Sequence, residues 1–578
     1  MAPGSDPSSL FAGFDFGTES VRVVIVDRSG QTLGSAVANY AHGQIVRGSQ
    51  SATKLFDRDL PTLFALQHPL DWLDSAAEAC RAALRAGAID PAEVRGIGVD
   101  FTSCTMLPCR ADGAPLCLES LDGTLSQLAA KLHAWPKLWK HHGALEQCAR
   151  MNQIAQARRE PWLARYGGAI GLEWLFPKIL EVIECAPAIA SSVDLWLEAG
   201  DWFIWQLLGS PAIGGTIAPT DLPRSTCQAG YKALWSARDG YPSREYLGTV
   251  HPALVDVVEH RLPGKHAAPG TRAGALCRTM ADRLGLHEGT AVSPAIIDAH
   301  AGVPGAGVGE PGAMVMVMGT SGCHMLLARE ERLIPGVAGI VRDGILPGFV
   351  GYETGQAAMG DAFDLVRRLG GFSDFAALDQ AARVIAPGGD GLICLDWFNG
   401  CRTPLMDASL TGALVGLTLH HTPAHVYRAV LEGAAFGLRA IVETLRNGGV
   451  AIDRFVAIGG LPRKNPLFVE IVASVLDAPV EIHAAEHGPA LGAAILGALA
   501  AGAEDCGFDD IGEAVDSIAA RRSALPAPTR ILPDRKLSHT YDRLFSAYQS
   551  LAQQMAAMNS PMRKLHEITR KPDGDDLR

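Results

Sequence analysis

Asp15, Gly17, Thr18 and Ser20 stand close together between two apolar runs, Phe11–Phe14 and Val21–Val26. Such a pattern reads as a β-hairpin with its tip at Gly17-Thr18. Glycine lets backbone N–H groups point into the turn, and Thr18 and Ser20 add hydroxyl donors, a concavity that suits a phosphate. Asp15, at the end of the first strand, offers oxygen to a hard cation such as Mg²⁺. Taken alone, the stretch also fits an ordinary hairpin whose Asp and Thr satisfy their own turn. A second stretch, Ala313–Met318, then Gly319-Thr320-Ser321, then Gly322–Ala328, repeats the pattern in the other half of the chain. Two such turns facing each other across a cleft would grip the phosphates of one nucleotide. The chain has no G-x-x-x-x-G-K-[ST], so a P-loop is not the phosphate holder.

Other candidate residues lie where apolar strands end. Val94–Phe101 runs into the polar cluster Thr102-Ser103-Cys104-Thr105, and polar groups at strand C-termini are where α/β sheets place ligands. Ala291–Ile297 reads as one strand leading to Asp298-Ala299-His300, so Asp298 ends a strand and begins a helix. Aspartate is a favoured helix N-cap, and a carboxylate there also points into the cleft. The small residues of 299–307 fit a hinge between two halves that open and close. Strand Phe455–Ile458 meets Gly459-Gly460 before a helix from Pro466, which permits close approach of a flat or phosphorylated ligand.

These groups need a frame of some size. At 578 residues two large domains are expected. The net charge of −12, without long blocks of one sign, disfavours nucleic acid or an anionic membrane as partner. The twelve cysteines are scattered without a C-x-x-C pair, as in a cytoplasmic protein with reduced thiols. The first residues lack a basic and apolar leader, and the most apolar long run, 489–503, reads as a buried helix too short to span a bilayer.

Between the motifs, the periodicity predicts a strand over 31–38, a loop from His42 to about Gln67, and a helix from Pro69 to Gly87. Residues 111–290 break the alternation and hold most of the tryptophans, from Trp135 to Trp235. Their rings would either line a sugar pocket or, more commonly, pack in a core. Thr422-Pro423 caps a long helix ended by Gly448-Gly449, and an amphipathic helix with Tyr541, Leu544, Tyr548 and Leu551 precedes a charged tail, Arg570–Arg578, that reads as disordered. The histidine clusters lack a zinc motif.

With both hairpins, the Asp298 segment and the late Gly-Gly turn in view, the chain resembles the FGGY carbohydrate kinases. Gly412–Leu417 followed by His425–Glu432 fits the second signature of that family. Further resembling stretches are Gly13–Asp27, Gly98–Pro108, Leu138–His142, Tyr166–Leu180, Gly230–Lys232, Asp298–His300, Met318–Leu326, Gly348–Asp361, Leu395–Gly400, Gly459–Asn465 and Pro489–Ala494. The likeness is greatest to the members that act on L-ribulose. It implies an α/β fold of two ribonuclease-H-like (actin-like ATPase) domains with a cleft between them. The divisions are an N-terminal sugar-binding domain over 10–304, a C-terminal nucleotide-binding domain over 305–505, and a helical extension over 506–578. It also implies ATP-dependent phosphorylation of the 5-hydroxyl of L-ribulose, with ATP and Mg²⁺, and admits a homodimer. Carried over, Asp298 is the general base and a substrate contact. Ser103, Lys232 and Glu353 contact the sugar, with Trp139 and Lys140 nearby. Asp15 holds Mg²⁺, Gly17, Thr18, Gly319 and Thr320 hold the phosphates, and Gly459, Gly460 and Asn465 hold the adenosine. Many sugar kinases of the family carry a Trp-x-Asp-x-Arg-like stretch where this chain has Trp139-Lys-His-His. The alternatives are an FGGY kinase for another pentulose or polyol, such as D-ribulose, xylulose or ribitol, and an actin-like ATPase serving as chaperone or filament protein.

Overall fold

The computed structural model describes residues 9–483, 487–520 and 528–558. The charged tail and the first eight residues lie outside the described residues. Two seven-stranded sheets dominate, and they share one plan. In the first, Leu10–Phe16 pairs antiparallel with Ser20–Asp27 and parallel with Val94–Phe101. In the second, Gly312–Met318 pairs antiparallel with Gly322–Ala328 and parallel with Ile452–Ile458. A further antiparallel strand extends each hairpin, Thr32–Asn39 in one and Val350–Gln356 in the other. The duplication expected from the two Gly-Thr turns is therefore one of whole sheets.

Most expected elements form where the residue pattern puts them. The helix after His68 spans Pro69–Gly87 and buries Trp72, Ala76, Cys80 and Leu84. Two segments differ. The stretch from His42 to Gln67 is not all loop: Ser49 caps a helix over Gln50–Phe56, and Ile45–Val46 pairs with Ala65–Leu66. The strand expected over 291–297 is broken into Ala291–Val292 and Ile296–Ile297. Pro294 between them has no N–H to give the ladder.

The C-terminal residues are not an appendage either. Thr529–Ile531 pairs with Val480–Ile482 at the edge of the second sheet. Helix Arg535–Ala557 then buries Tyr541, Phe545 and Tyr548 in the core beneath helix Pro423–Asn447. Aromatic burial outweighs the polar outer face of that helix, so it docks instead of trailing. Among the tryptophans of 111–290, Trp135, Trp174, Trp196, Trp202 and Trp205 are core residues, whereas Trp139 stays 37% exposed.

Helix Gly488–Ala501 joins the two halves. It lies on strands Leu10–Phe16 and Val94–Phe101 and on helix Asp298–Gly305. The approach is backbone to backbone: a Cβ built at Gly98 would fall 1.8 Å from the Ala493 carbonyl oxygen, one at Gly13 1.9 Å from that of Ala490, and one at Gly492 1.8 Å from that of Ala301. Residues 299–305, expected as part of a hinge, are closely packed. Their small side chains let a helix seat against another, and Gly305 would place a Cβ 1.9 Å from the Gly488 oxygen. All twelve cysteines are free thiols, and no described helix is long and apolar enough to cross a membrane.

The contact has a measurable consequence. Gly98→Ala forces a carbon into the Ala493 carbonyl, and overpacking of this kind costs about 1–3 kcal/mol or more. The urea midpoint should fall accordingly, and a midpoint equal to the parent's would contradict the packing.

Candidate active site

The strand ends set the geometry. Asp15 and Asp100 are direct partners across the parallel pair Leu10–Phe16 and Val94–Phe101, and Asp298 begins its helix where Ile296–Ile297 leaves the same sheet. Three carboxylates from three neighbouring strands therefore converge. Arg22, on the return strand of the hairpin, places Nη1 2.9 Å from Asp15 Oδ2. Burial drives the Asp15 carboxyl up from its ordinary value, and Arg22 opposes this. Asp100 is pushed well above the carboxylate range, first by burial and then by the charges of Asp15 and Asp298. The carboxyl oxygens of Asp100 have no hydrogen-bond partner among the described residues. Buried oxygens without donors beside a second buried carboxylate fit a hard divalent cation, which Asp15, the less buried of the two, would meet first.

Asp298 Oδ1 accepts a hydrogen bond of 2.7 Å from the N–H of Ala299, so the helix start orients the carboxyl. Burial raises its pKa to about 7, helped by the charges of Asp15 and Glu353 and opposed by the Ala299 bond and Lys232. A carboxyl poised near neutrality can accept a proton from a bound hydroxyl.

Glu353 comes from the second sheet, on Val350–Gln356, and Lys232 from the end of helix Thr226–Lys232. Lys232 Nζ donates to Glu353 Oε1 at 2.7 Å and lies 5.2 Å from the centre of the Trp174 ring. His300 Nε2 stands 3.2 Å from the other oxygen, Oε2. Burial alone would raise the Glu353 pKa, but Lys232 and His300 hold it below the usual carboxylate range. For Lys232 burial works downward, and Glu353 reverses it. The pair is ionised and bridges the two halves. Ser103 is half-buried, with Oγ 3.4 Å from the Cys104 sulfur.

The turns are arranged as expected, and each is braced. Gly17 N–H bonds to Ser20 O at 3.0 Å, Gln67 holds the Thr18 carbonyl at 2.9 Å, and the Trp139 indole donates to Thr18 Oγ1 at 3.2 Å. Trp139 thus borders the first turn, and Lys140 lies exposed over its ring at 5.2 Å. In the second turn, Gly319 N–H bonds to Ser321 O at 3.1 Å while Thr320 stays exposed. Gly459, at φ +99°, lies so close that a Cβ would fall 2.5 Å from the Met318 carbonyl. The Gly-Gly turn is therefore next to Gly319-Thr320, and Gly460 faces open space.

Asn465 departs from its expected role as a free ligand contact. It is 3% exposed. Its Oδ1 caps helix Pro466–Leu476 by accepting from Phe468 N–H at 2.9 Å, and its Nδ2 donates to Tyr427 at 2.7 Å. With the amide engaged, Asn465 supports the Gly459-Gly460 turn from below. Two site residues escaped the sequence reading. Asp100 carried a signal, a lone carboxylate inside an apolar strand, whereas His300 looked like any residue of a helix start.

Comparisons with known proteins give the family. Residues 314–501 match the C-terminal domain of the FGGY family of carbohydrate kinases. The ribulokinase of Bacillus licheniformis is 41% identical over 562 residues, covering 95% of this chain and 97% of that protein. The ribulokinase of Geobacillus thermodenitrificans is 42% identical over 546 residues, covering 92% and 93%. The xylulose kinase from Rhodospirillum rubrum superposes with a TM-score of 0.75 over 95% of this chain and all of that one, at 21% identity, a likeness of fold.

The electrostatics can be measured without any ligand. A carboxyl NMR titration should find Asp298 titrating at about 7. Glu353→Gln removes a negative neighbour and frees Lys232, so it should lower that value. A value that stays put or rises would show that Glu353 does not act on Asp298.

Proposed function

The chain belongs to the FGGY family of carbohydrate kinases, and on that premise we propose how its cleft carries out the ATP-dependent phosphorylation of ribulose. The reacting group is the 5-hydroxyl of L-ribulose. Asp298 is the general base that takes its proton as the oxygen attacks the γ-phosphate of ATP. The observation that carries this reading is a carboxyl at a strand end, poised near pH 7 and influenced by Asp15 of the first hairpin and by the Lys232–Glu353 pair. Phosphoryl transfer asks the protein mainly for positioning and charge compensation, and each part of the cleft supplies one of these.

Lys232 and Glu353 bind hydroxyls and the carbonyl of the sugar, with Ser103 on the opposite wall and Trp139 and Lys140 toward its mouth. A bridged ion pair presents both a donor and an acceptor without leaving a charge uncompensated in a buried site. The N–H groups of Gly17-Thr18 and Gly319-Thr320 take the phosphates from two sides. Gly459 and Gly460 receive the adenosine, supported by Asn465. Asp15 would hold Mg²⁺, which neutralises phosphate charge when bound. The two units, 10–304 and 305–505, meet at the end of helix Asp298–Gly305. Sugar contacts lie on both sides of that junction, so ligand binding favours the closed arrangement and keeps water from the γ-phosphate.

Asp298→Asn should leave a folded protein whose kcat is lower by about 10²–10⁴, the usual worth of a general base. In the parent, kcat/KM should rise with pH through about 7, since only the ionised carboxyl accepts a proton. A folded Asn variant with near-parent turnover would remove Asp298 from the mechanism. Glu353→Gln and Lys232→Ala should raise the ribulose KM by about 10- to 150-fold, the equivalent of one hydrogen bond to a charged group, and leave the ATP KM little changed. If neither moves the ribulose KM, the sugar binds elsewhere. A panel of ketopentoses and polyols ranked by kcat/KM tests the sugar itself.

A further inference from the structure

Helix Leu175–Cys185 lies behind the sugar wall and contributes a fully buried lysine, Lys178. Its Nζ donates to three backbone carbonyls, Cys104 O at 2.5 Å, Leu138 O at 2.8 Å and Lys137 O at 3.4 Å. No described side-chain carboxylate forms an ion pair with it, and burial lowers its pKa to about 8. An ammonium is costly to desolvate, and an apolar side chain of similar volume would serve packing alone at less expense. What Lys178 adds is convergence: three N–H bonds tie the loop 102–105 to the loop 137–138.

One of those loops is strained. Cys104 sits at φ +57°, in the left-handed region that residues with a Cβ avoid. It is buried beside Ser103, and its carbonyl receives the shortest Lys178 bond. The other loop has a second anchor. Glu181, on the next turn of the same helix, contacts Lys137 Nζ at 3.1 Å and His141 Nε2 at 2.8 Å. Loss of Lys178 would leave the 137–141 loop, with Trp139 on Thr18, held by Glu181. The 102–105 loop is held at its ends, by Thr102 N–H on Phe16 O at 3.1 Å, by Ala199 N–H on Thr105 O at 2.9 Å and by the Thr105 hydroxyl on Thr102 O at 3.3 Å, but among the described residues the Cys104 carbonyl between them is bound by Lys178.

We propose that Lys178 is a positioning residue for sugar binding, holding Cys104 in its left-handed conformation so that Ser103 faces the pocket. This rests on the reading that Ser103 forms one wall of the sugar site. Lys178 itself does not touch substrate. The role is specific to the 102–105 loop and distinct from a general contribution to stability.

The test compares the full-length parent, Lys178→Met, Cys104→Gly and the double variant, recording KM and kcat for L-ribulose and for ATP together with the melting temperature. Lys178→Met should raise the ribulose KM at least about tenfold, the scale of one lost hydrogen bond to a charged group, while the ATP KM changes by less than about threefold. Glycine adopts positive φ without steric penalty, so Cys104→Gly should restore much of the ribulose KM in the Lys178→Met background. In the parent background it should change that KM little. Such coupling in a double-mutant cycle is not expected of a merely structural lysine. A folded Lys178→Met protein with parent-like ribulose KM, or one that glycine fails to rescue, overturns the proposal. If Lys178→Met does not fold, Lys178→Gln, which keeps two N–H donors, takes its place. Failure of both to fold would make Lys178 a stability element and likewise overturn it. Lys232→Ala and Glu353→Gln separate this from the wider reading: if they raise the ribulose KM and Lys178→Met does not, the pocket stands and only the clamp falls.

Discussion

A helix pressed backbone-first onto a sheet is the constraint on which the rest of this protein depends. Gly488–Ala501 comes late in the chain, yet it covers the central strands of the first sheet and the helix that begins with Asp298. Glycines on both surfaces remove the side chains that would otherwise keep the backbones apart. The close contact has two effects. It ties the C-terminal half to the N-terminal half through closely packed backbone, and it fixes helix Asp298–Gly305, and with it the Asp298 carboxyl, relative to Asp15 and Asp100. Any added carbon at these positions acts on the whole assembly because close-packed interiors transmit strain.

Within that frame, one chemical group is tuned to three states. Asp100 is buried beside other acids, which push its carboxyl well above the usual range. Glu353 is equally buried, but Lys232 and His300 keep it ionised. Asp298 lies between these limits, near neutrality. Burial pushes all three upward, and the sign of the nearest charge decides the outcome. Separation of roles among carboxylates by environment is how a single site can hold an electrostatic contact and a base at the same pH.

Residue patterns alone specified much of this. Apolar runs around Gly17-Thr18 and Gly319-Thr320 produced two hairpins because alternation and turn chemistry are local properties, and Asp298 stood at a strand end for the same reason. The family resemblance extended over most of the chain and supplied a reaction. The buried helix over 489–503 was legible from its composition, and its partners were not.

Tertiary structure decided what depends on contacts between residues far apart in sequence. The opposition of Asp15 and Asp100 follows from strand register, and the Lys232–Glu353 bridge joins positions more than a hundred residues apart. Residues 299–307 read as part of a hinge because small residues suit flexibility, but small residues also suit close packing, and the structure shows 299–305 packed against Gly488–Ala501. Asn465 was expected as an adenosine contact through the family resemblance, and only the positions of Phe468 and Tyr427 show its amide to be engaged. The C-terminal helix and Thr529–Ile531 read as an extension because nothing local says where an apolar face will dock. Sequence determines which groups and which local shapes are available. The long-range packing determines which groups meet, and therefore their charge states and their roles.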